Sequence, residues 1–241
     1  MLKLTKTYDH CPSNKPRLTV VCVHGIADDS SRFIKPLEYL EGTTSLKDIR
    51  FVCFDLLGSG KSTKSDKLNY DFKEQLEALF NAIDALKLKT PLVLMGHSMG
   101  CLISARFAEA HKKMIKELIL ISPPVFRPEE FDSPKMAAGK EGFRQLMILK
   151  DSKYRTDKAF NNELEKIVFN KHNYSIYTRL TKPTTIIYGA ADKIIASYNI
   201  PGLVKINKKI SVIKTPGSHG IGRDKYGKLM PVLERILNET V

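Results

Sequence analysis

The stretch Pro91-Leu92-Val93-Leu94-Met95-Gly96-His97-Ser98-Met99-Gly100-Cys101-Leu102-Ile103-Ser104-Ala105-Arg106-Phe107-Ala108-Glu109-Ala110 decides how the rest of the chain is read. Leu92 to Met95 is an uninterrupted apolar run, as expected of a strand buried on both faces. Met99 to Ala110 is rich in helix formers. Between them lies Gly96-His97-Ser98-Met99-Gly100, a G-x-S-x-G pattern. A strand that becomes a helix within so few residues forces the residue at the apex into a strained backbone conformation. It also brings the two backbones close together, so the positions two residues either side must be small, as Gly96 and Gly100 are. A serine held at such an apex stands at a helix N-terminus, where the dipole favours developing negative charge.

Working outward, the same strand-then-helix rhythm recurs. Strands are predicted at Lys3–Tyr8 (an edge), Leu18–Val23, Ile49–Phe54, Lys116–Ile121, Thr184–Tyr188 and Ile210–Lys214. Helices are predicted at Arg32–Leu40, with Asp28, Asp29, Ser30 and Ser31 as candidate caps, at Tyr70–Lys87, and at Lys225–Leu237 with Leu229, Val232, Leu233 and Ile236 on one face. Strands alternating with helices predict an α/β fold with a mostly parallel central sheet flanked by helices. From Val125 to about Leu180 the rhythm stops. No strand signal is present there, and Phe131, Met136, Phe143, Leu146, Phe160, Leu164 and Phe169 sit on helix-like segments. Residues 1–124 and 181–241 are therefore read as a core domain and 125–180 as a small helical cap inserted into it.

Composition limits the classes open to the chain. With 241 residues, 42% hydrophobic and 27% charged, it is expected to be globular with a substantial core. No apolar run approaches membrane-spanning length, so no membrane insertion is expected. The first eight residues lack a secretion signal, which makes the cytoplasm the expected location. The four cysteines, Cys11, Cys22, Cys53 and Cys101, show no C-x-x-C spacing, so neither a metal site nor dithiol chemistry is expected. The net charge of +13 is spread along the chain without an aromatic-interleaved basic stripe, which argues for a solvated basic surface rather than nucleic-acid binding. Gly58-Ser59-Gly60-Lys61-Ser62 superficially matches a phosphate-binding loop. Such a loop needs glycine where this chain has Asp55, whose charge would repel phosphate, so no nucleotide cofactor is expected.

In parallel sheets the functional residues collect at the carboxyl ends of the strands. That rule singles out His24-Gly25, Asp55 to Gly60, Gly96 to Gly100, Asp192 and His219. Ser98, Asp192 and His219 occur in the chain order of a nucleophile, an acid and a base on this architecture. Of the six histidines, only His219 follows the last strand in a Gly-flanked loop. His10 and His111 are read as solvated, His24 as a brace for its loop, His97 as pointing away from the nucleophile, and His172 as part of the insertion. Asp224 is too close in sequence to His219 to orient it, and Asp55 is read as a brace of the Gly58–Gly60 turn.

With these residues in view, the sequence resembles the α/β-hydrolase superfamily in its esterase-lipase-like branch. The resemblance spans nearly the whole chain and rests on Val23-His24-Gly25, Asp55 to Ser62, the Ser98 turn, Gly189-Ala190-Ala191-Asp192 and His219. It implies an α/β-hydrolase fold and a serine hydrolase acting on small or medium carboxylic esters, a small-molecule substrate, without a cofactor. Ser98 would be the nucleophile, His219 the general base and Asp192 the residue that orients it. The backbone amides of Met99 and Ile26 would form the oxyanion hole. The same machinery serves thioester, amide and carbon–carbon cleavage, and a fold of this kind can also serve a protein that binds ligands and hydrolyses little.

Overall fold

The computed structural model describes residues 2–220 and 226–240. Its strands are β1 (Thr5–His10), β2 (Leu18–Val23), β3 (Ile49–Asp55), β4 (Leu92–His97), β5 (Ile115–Ile121), β6 (Thr184–Gly189) and β7 (Ile210–Thr215). Its helices are α1 (Ser31–Glu41), α2 (Phe72–Ala85), α3 (Met99–Ala110), α4 (Pro134–Lys150), α5 (Lys158–Glu163), α6 (Asn173–Arg179), α7 (Ile200–Ile206) and α8 (Tyr226–Thr240). The strands form one sheet in the order β1-β3-β2-β4-β5-β6-β7. All neighbours are parallel except β1, which runs antiparallel to β3 at the edge.

The apolar runs of β2, β4 and β6 are buried along their whole length. Their side chains alternate between two cores, because successive residues of a strand point to opposite faces. Val21, Val23, Val52, Phe54 and Leu94 pack with Leu79 and Ile83 of α2 and Leu102 and Phe107 of α3. Val20, Cys22, Phe51, Cys53, Val93 and Met95 pack with Phe33, Leu37 and Leu40 of α1 and with Leu229, Leu233 and Ile236 of α8. Cys22 and Cys53 are register partners on adjacent strands, and all four cysteines are buried free thiols. The chain runs from β2 to β3 on one side and returns to β4 on the other. The loops after β2 and β4 therefore face each other across a topological switch point, where such sheets bind ligands.

Local chemistry adjusts several expected boundaries. α2 starts at Phe72 rather than Tyr70, because the Asp71 carboxylate accepts from the Glu74 amide and caps the helix there. Ser30 precedes α1 without capping it, because its hydroxyl donates to Asp55 at 2.6 Å instead. β1 lies two residues later than expected and is bulged between Lys6 and Tyr8. α7 has no counterpart among the expected helices. Pro201 and Gly202 read as breakers, yet Pro201 falls in the first turn, where a missing N–H costs nothing.

Between β5 and β6 the described chain is helical, with a π-turn at Leu164–Val168 continuing α5. This segment is tied to the body by a buried polar contact. The Gln75 amide exchanges bonds with both backbone groups of Leu57, at 3.2 and 3.1 Å, and donates to the Glu163 carboxyl at 2.9 Å. Glu163 is 2% exposed, and burial, with Asp157 nearby, pushes its pKa well above the usual carboxylate range. In the folded protein it is a neutral acid, whereas in the unfolded chain it ionises near 4.5. Its contribution to stability is therefore complete below that value and is lost as pH rises through the folded pKa. Glu163→Gln keeps the acceptor without the titration. Its Tm is expected to match the parent at pH 4 and to exceed it at pH 8, by roughly 3 °C or more. Equal Tm differences at both pH values, read by scanning calorimetry, would contradict a neutral Glu163.

Candidate active site

The turn after β4 has the strain that its sequence demands. Ser98 sits at φ 52° and ψ −120°, a conformation that costs a non-glycine residue on the order of 1–3 kcal/mol. It is held there from both sides. The Ser98 amide donates to the Ile121 carbonyl of β5 at 2.9 Å, and its carbonyl accepts from the Cys101 amide at 2.9 Å. The Cys101 thiol donates to the carbonyls of Gly96 and Ile121 at 3.2 Å. A Cβ on Gly96 would lie 2.6 Å from the Gly100 carbonyl oxygen, so the strand and helix touch backbone to backbone as expected.

The loops after β6 and β7 are fastened to each other. The Ala190 amide donates to Thr215 and the Ala191 amide to Gly217, at 2.8 and 2.9 Å. Gly189 permits this, because a Cβ there would meet the Gly217 carbonyl oxygen at 2.4 Å. The fastening brings residues 27 positions apart into contact: Asp192 Oδ2 accepts from His219 Nδ1 at 2.9 Å. The Asp192 carboxylate is completely buried, and its other oxygen accepts from the amides of Ile194 and Ile195 at 3.0 and 3.4 Å. Since an ionised carboxylate only accepts, His219 carries its proton on Nδ1, which leaves Nε2 as an acceptor. That Nε2 lies 3.0 Å from Ser98 Oγ. The structure thus brings Ser98, His219 and Asp192 into one hydrogen-bonded chain. It can pull a proton from the serine hydroxyl and stabilise the cation that results.

The loop after β2 approaches the same point. A Cβ on Gly25 would lie 3.1 Å from Ser98 Cβ. His24 is fully buried and neutral. Burial lowers its pKa, its Nδ1–H donates to the Gly25 carbonyl at 2.8 Å, and its Nε2 accepts from the Leu56 amide at 2.8 Å. It braces the loop, as expected. Ile26 and Met99 flank Ser98, and neither backbone amide has a hydrogen-bond partner among the described residues. Asp55 accepts from the Ser30 amide and hydroxyl and from the Lys61 amide. Burial alone would raise its pKa, but these donors more than offset it and hold the carboxyl below the usual range. The Asp55 carboxylate already takes the Lys61 amide of the Gly58–Ser62 turn, and a Cβ on Gly60 would sit 2.0 Å from it.

One histidine reading changes, and a second gains a partner. His111 is not solvated: it is half-buried against the rings of Phe80 and Phe107, at 4.7 and 4.5 Å between centroids. His97 makes no hydrogen bond to Ser98 among the described residues, but it reaches His219: its Nε2–H donates to the His219 carbonyl at 3.0 Å. Burial, then the Arg32 cation and His219, push its pKa well down, so it is a neutral ring that positions the His219 loop. His10 is exposed and paired with Glu41, and His172 is exposed at the start of α6. Asp224 lies outside the described residues.

Ser98 opens onto two chambers that share Ile26, Phe143 and Ile194. The first, bounded by Pro124, Phe126, Val168 and Phe169, is an apolar neck of about 10 Å³. It leads to a cavity of about 690 Å³ under α4 with which it shares Phe126, Phe143, Phe169, Ile194 and Ile195. The second, of about 250 Å³, is bounded by His219, His97, Asp28, Arg32, Met147 and Lys150. Sequence reasoning did not find Arg32 or Lys150. The i, i+4 spacing of Asp28 and Arg32 was the available signal, and nothing in it points to the site.

A sequence model described as the alpha/beta hydrolase fold matches residues 19–171, more than half of the chain. The chain belongs to the α/β hydrolase family. It is 35% identical over 115 residues to the Arabidopsis thaliana protein named probable lysophospholipase BODYGUARD 5, a match covering 47% of this chain and 26% of that protein. It is 27% identical over 205 residues to lipase 3 of a Moraxella species, covering 81% of this chain and 63% of that one. The chain thus spans about a quarter to two thirds of the length of these relatives. A solved structure from a study of Nitrososphaera gargenis carboxylesterases superposes with a TM-score of 0.76 at 15% identity, over 98% of this chain and 94% of that one, a likeness of fold. Among the described residues no helix is long and apolar enough to cross a membrane.

Proposed function

We propose that this α/β hydrolase cleaves small or medium carboxylic esters through an acyl-enzyme intermediate. The observation that carries the reading is the relay from Asp192 through His219 to Ser98, with bonds of 2.9 and 3.0 Å around a strained serine. In the acylation step His219 Nε2 takes the Ser98 proton as Oγ attacks the acyl carbon. Asp192 stabilises the imidazolium. The unpartnered amides of Ile26 and Met99 are the donors for the oxyanion. His219 then protonates the departing alcohol, and the cycle repeats with water. The lipase and lysophospholipase names of the relatives support ester substrates. The four reduced thiols fit a reducing, cytoplasmic setting.

His219 must reach the leaving oxygen, so the alcohol lies on the side of Ser98 that His219 lines. The acyl group then lies on the other side, in the apolar neck. That neck holds about one water's volume before it widens, which suits short and medium acyl groups. Helices 134–179 act as the cap that shapes it. α4 is the loosest part of its wall: of its seventeen residues only Met147 is buried. On p-nitrophenyl esters of increasing chain length, activity is expected to peak at short to medium chains. Phe143→Ala, which widens the neck, is expected to raise kcat/KM for longer chains by about tenfold relative to the acetyl ester. A peak at long chains in the parent would contradict the size assignment. Failure of a fluorophosphonate probe to label the protein would contradict hydrolysis altogether and favour a ligand-binding role.

A further inference from the structure

The chamber on the leaving-group side is not built for a neutral alcohol. Arg32 projects into it from the first turn of α1, with a side chain only 9% exposed. Its Nε donates to Asp28 Oδ2 at 2.5 Å, while Asp28 Oδ1 accepts from the Asp29 amide at 3.1 Å. The carboxylate is thus committed to holding the guanidinium in place. Among the described residues, Nη1 and Nη2 of Arg32 have no partner. The guanidinium thus turns two donor nitrogens, without a protein acceptor among the described residues, toward a chamber of about 250 Å³ that can hold one. Lys150, the last residue of α4, lines the same chamber and makes no ion pair among the described residues. Among the described residues that line the chamber, these two cations face one carboxylate, already engaged, and His97 and His219 add no negative charge.

We infer that Arg32 and Lys150 form a receptor for an anionic group, a phosphate or a carboxylate, carried by the alcohol part of the ester, so that the preferred substrates are acyl esters of anionic alcohols. The inference rests on the serine-hydrolase reading and on the sidedness that follows from His219 protonating the leaving oxygen. The free edge of the Arg32 guanidinium offers two donors with the fork geometry that suits phosphate and carboxylate oxygens. Lys150, in the lining of the same chamber, adds a second positive charge. The acyl chain in the apolar neck and the anion beside Arg32 would then hold the ester carbonyl over Ser98 from both ends.

The test compares octanoyl esters that share one acyl group: octanoyl glycerol, octanoyl glycerol 3-phosphate and octanoyl glycolate. The parent enzyme is expected to favour at least one anionic ester over the neutral one by roughly 10- to 100-fold in kcat/KM, the usual size of a charge-assisted contact. The larger of the two preferences identifies the anion. In Arg32→Gln and in Lys150→Gln the ratio of anionic to neutral kcat/KM is expected to fall toward one, mainly through KM. Lys150 is exposed, so its variant keeps the test sound should Arg32→Gln fold poorly. Fluorophosphonate labelling of Ser98 checks that the site is assembled in each variant. Hydrolysis of the neutral ester without an anionic preference, or a preference that survives both substitutions, overturns the receptor while leaving the hydrolase intact. Absence of labelling and of hydrolysis of every ester overturns the hydrolase reading, and the receptor with it.

Discussion

Ser98→Ala is expected to lower kcat on p-nitrophenyl acetate by about 10⁴–10⁶ and to abolish fluorophosphonate labelling. The size follows from the connectivity of the site. Among the described residues His219 Nε2 has one partner, Ser98 Oγ, and His219 Nδ1 has one, Asp192. Without the hydroxyl no covalent intermediate forms, and the imidazole has no proton to take from the protein. His219→Ala should be nearly as damaging, and the double variant scarcely worse than either single one, because the three residues act as one unit. Asp192→Asn should cost on the order of 10⁴, since an amide in that position can donate to Nδ1 and favour the wrong tautomer. The fold should be indifferent to Ser98→Ala or improve slightly, because among the described residues the hydroxyl bonds only His219. Retention of more than a tenth of the activity, or labelling that persists without the hydroxyl, would place the chemistry elsewhere in the chain.

What the sequence could say about this site depended on how local the cause was. Ser98, Gly96 and Gly100 were legible because a strand-to-helix reversal imposes its demands within five residues. Asp192 and His219 were legible because each follows a strand and the carboxyl ends of parallel strands converge. The fastening of their loops through Gly189 and Gly217, which makes the 2.9 Å contact possible, involves residues 28 positions apart and left no pattern to read. His97 shows the same limit. Its neighbourhood of the nucleophile was obvious, yet its bond to the His219 carbonyl spans 122 residues and appears only once β4 and β7 are placed in the sheet. Arg32 was invisible for a different reason: a charged residue one turn from an aspartate normally marks a solvated helix face. It takes the burial of that face beneath the site to make it otherwise. The cap was legible as helical and no further. α4 carries almost no continuous apolar stripe, with Met147 alone buried, so no periodicity showed which of its residues would meet Ser98.

The glycines provide the largest expected effect on stability, and one that separates two meanings of the same residue. At Gly100 a Cβ would lie 2.0 Å from the Val23 carbonyl oxygen and 2.6 Å from that of His24. Both are backbone atoms of β2 and its loop and cannot swing aside. Gly100→Ala must therefore lift the N-terminus of α3 off the centre of the sheet, where Val23 is paired on both sides, to Phe54 and to Gly96. The expected loss is about 3 kcal/mol, the upper part of the range for forced overpacking, or a fall in Tm of roughly 6–12 °C. It should also weaken catalysis in the fraction that folds, because the same displacement moves Ser98 and the Ile26 loop apart. At Gly139 and Gly142 in α4 a Cβ would meet nothing within 4 Å. There alanine replaces the least helix-favouring ordinary residue in an exposed helix interior. Each change is expected to raise stability by about 0.5–1 kcal/mol. Thermal melts of the three single variants decide the matter. If Gly100→Ala melts with the parent, α3 is not seated on β2 as described. If Gly139→Ala and Gly142→Ala destabilise, α4 is packed against something at these glycines, and the cavity they line is narrower than its geometry implies.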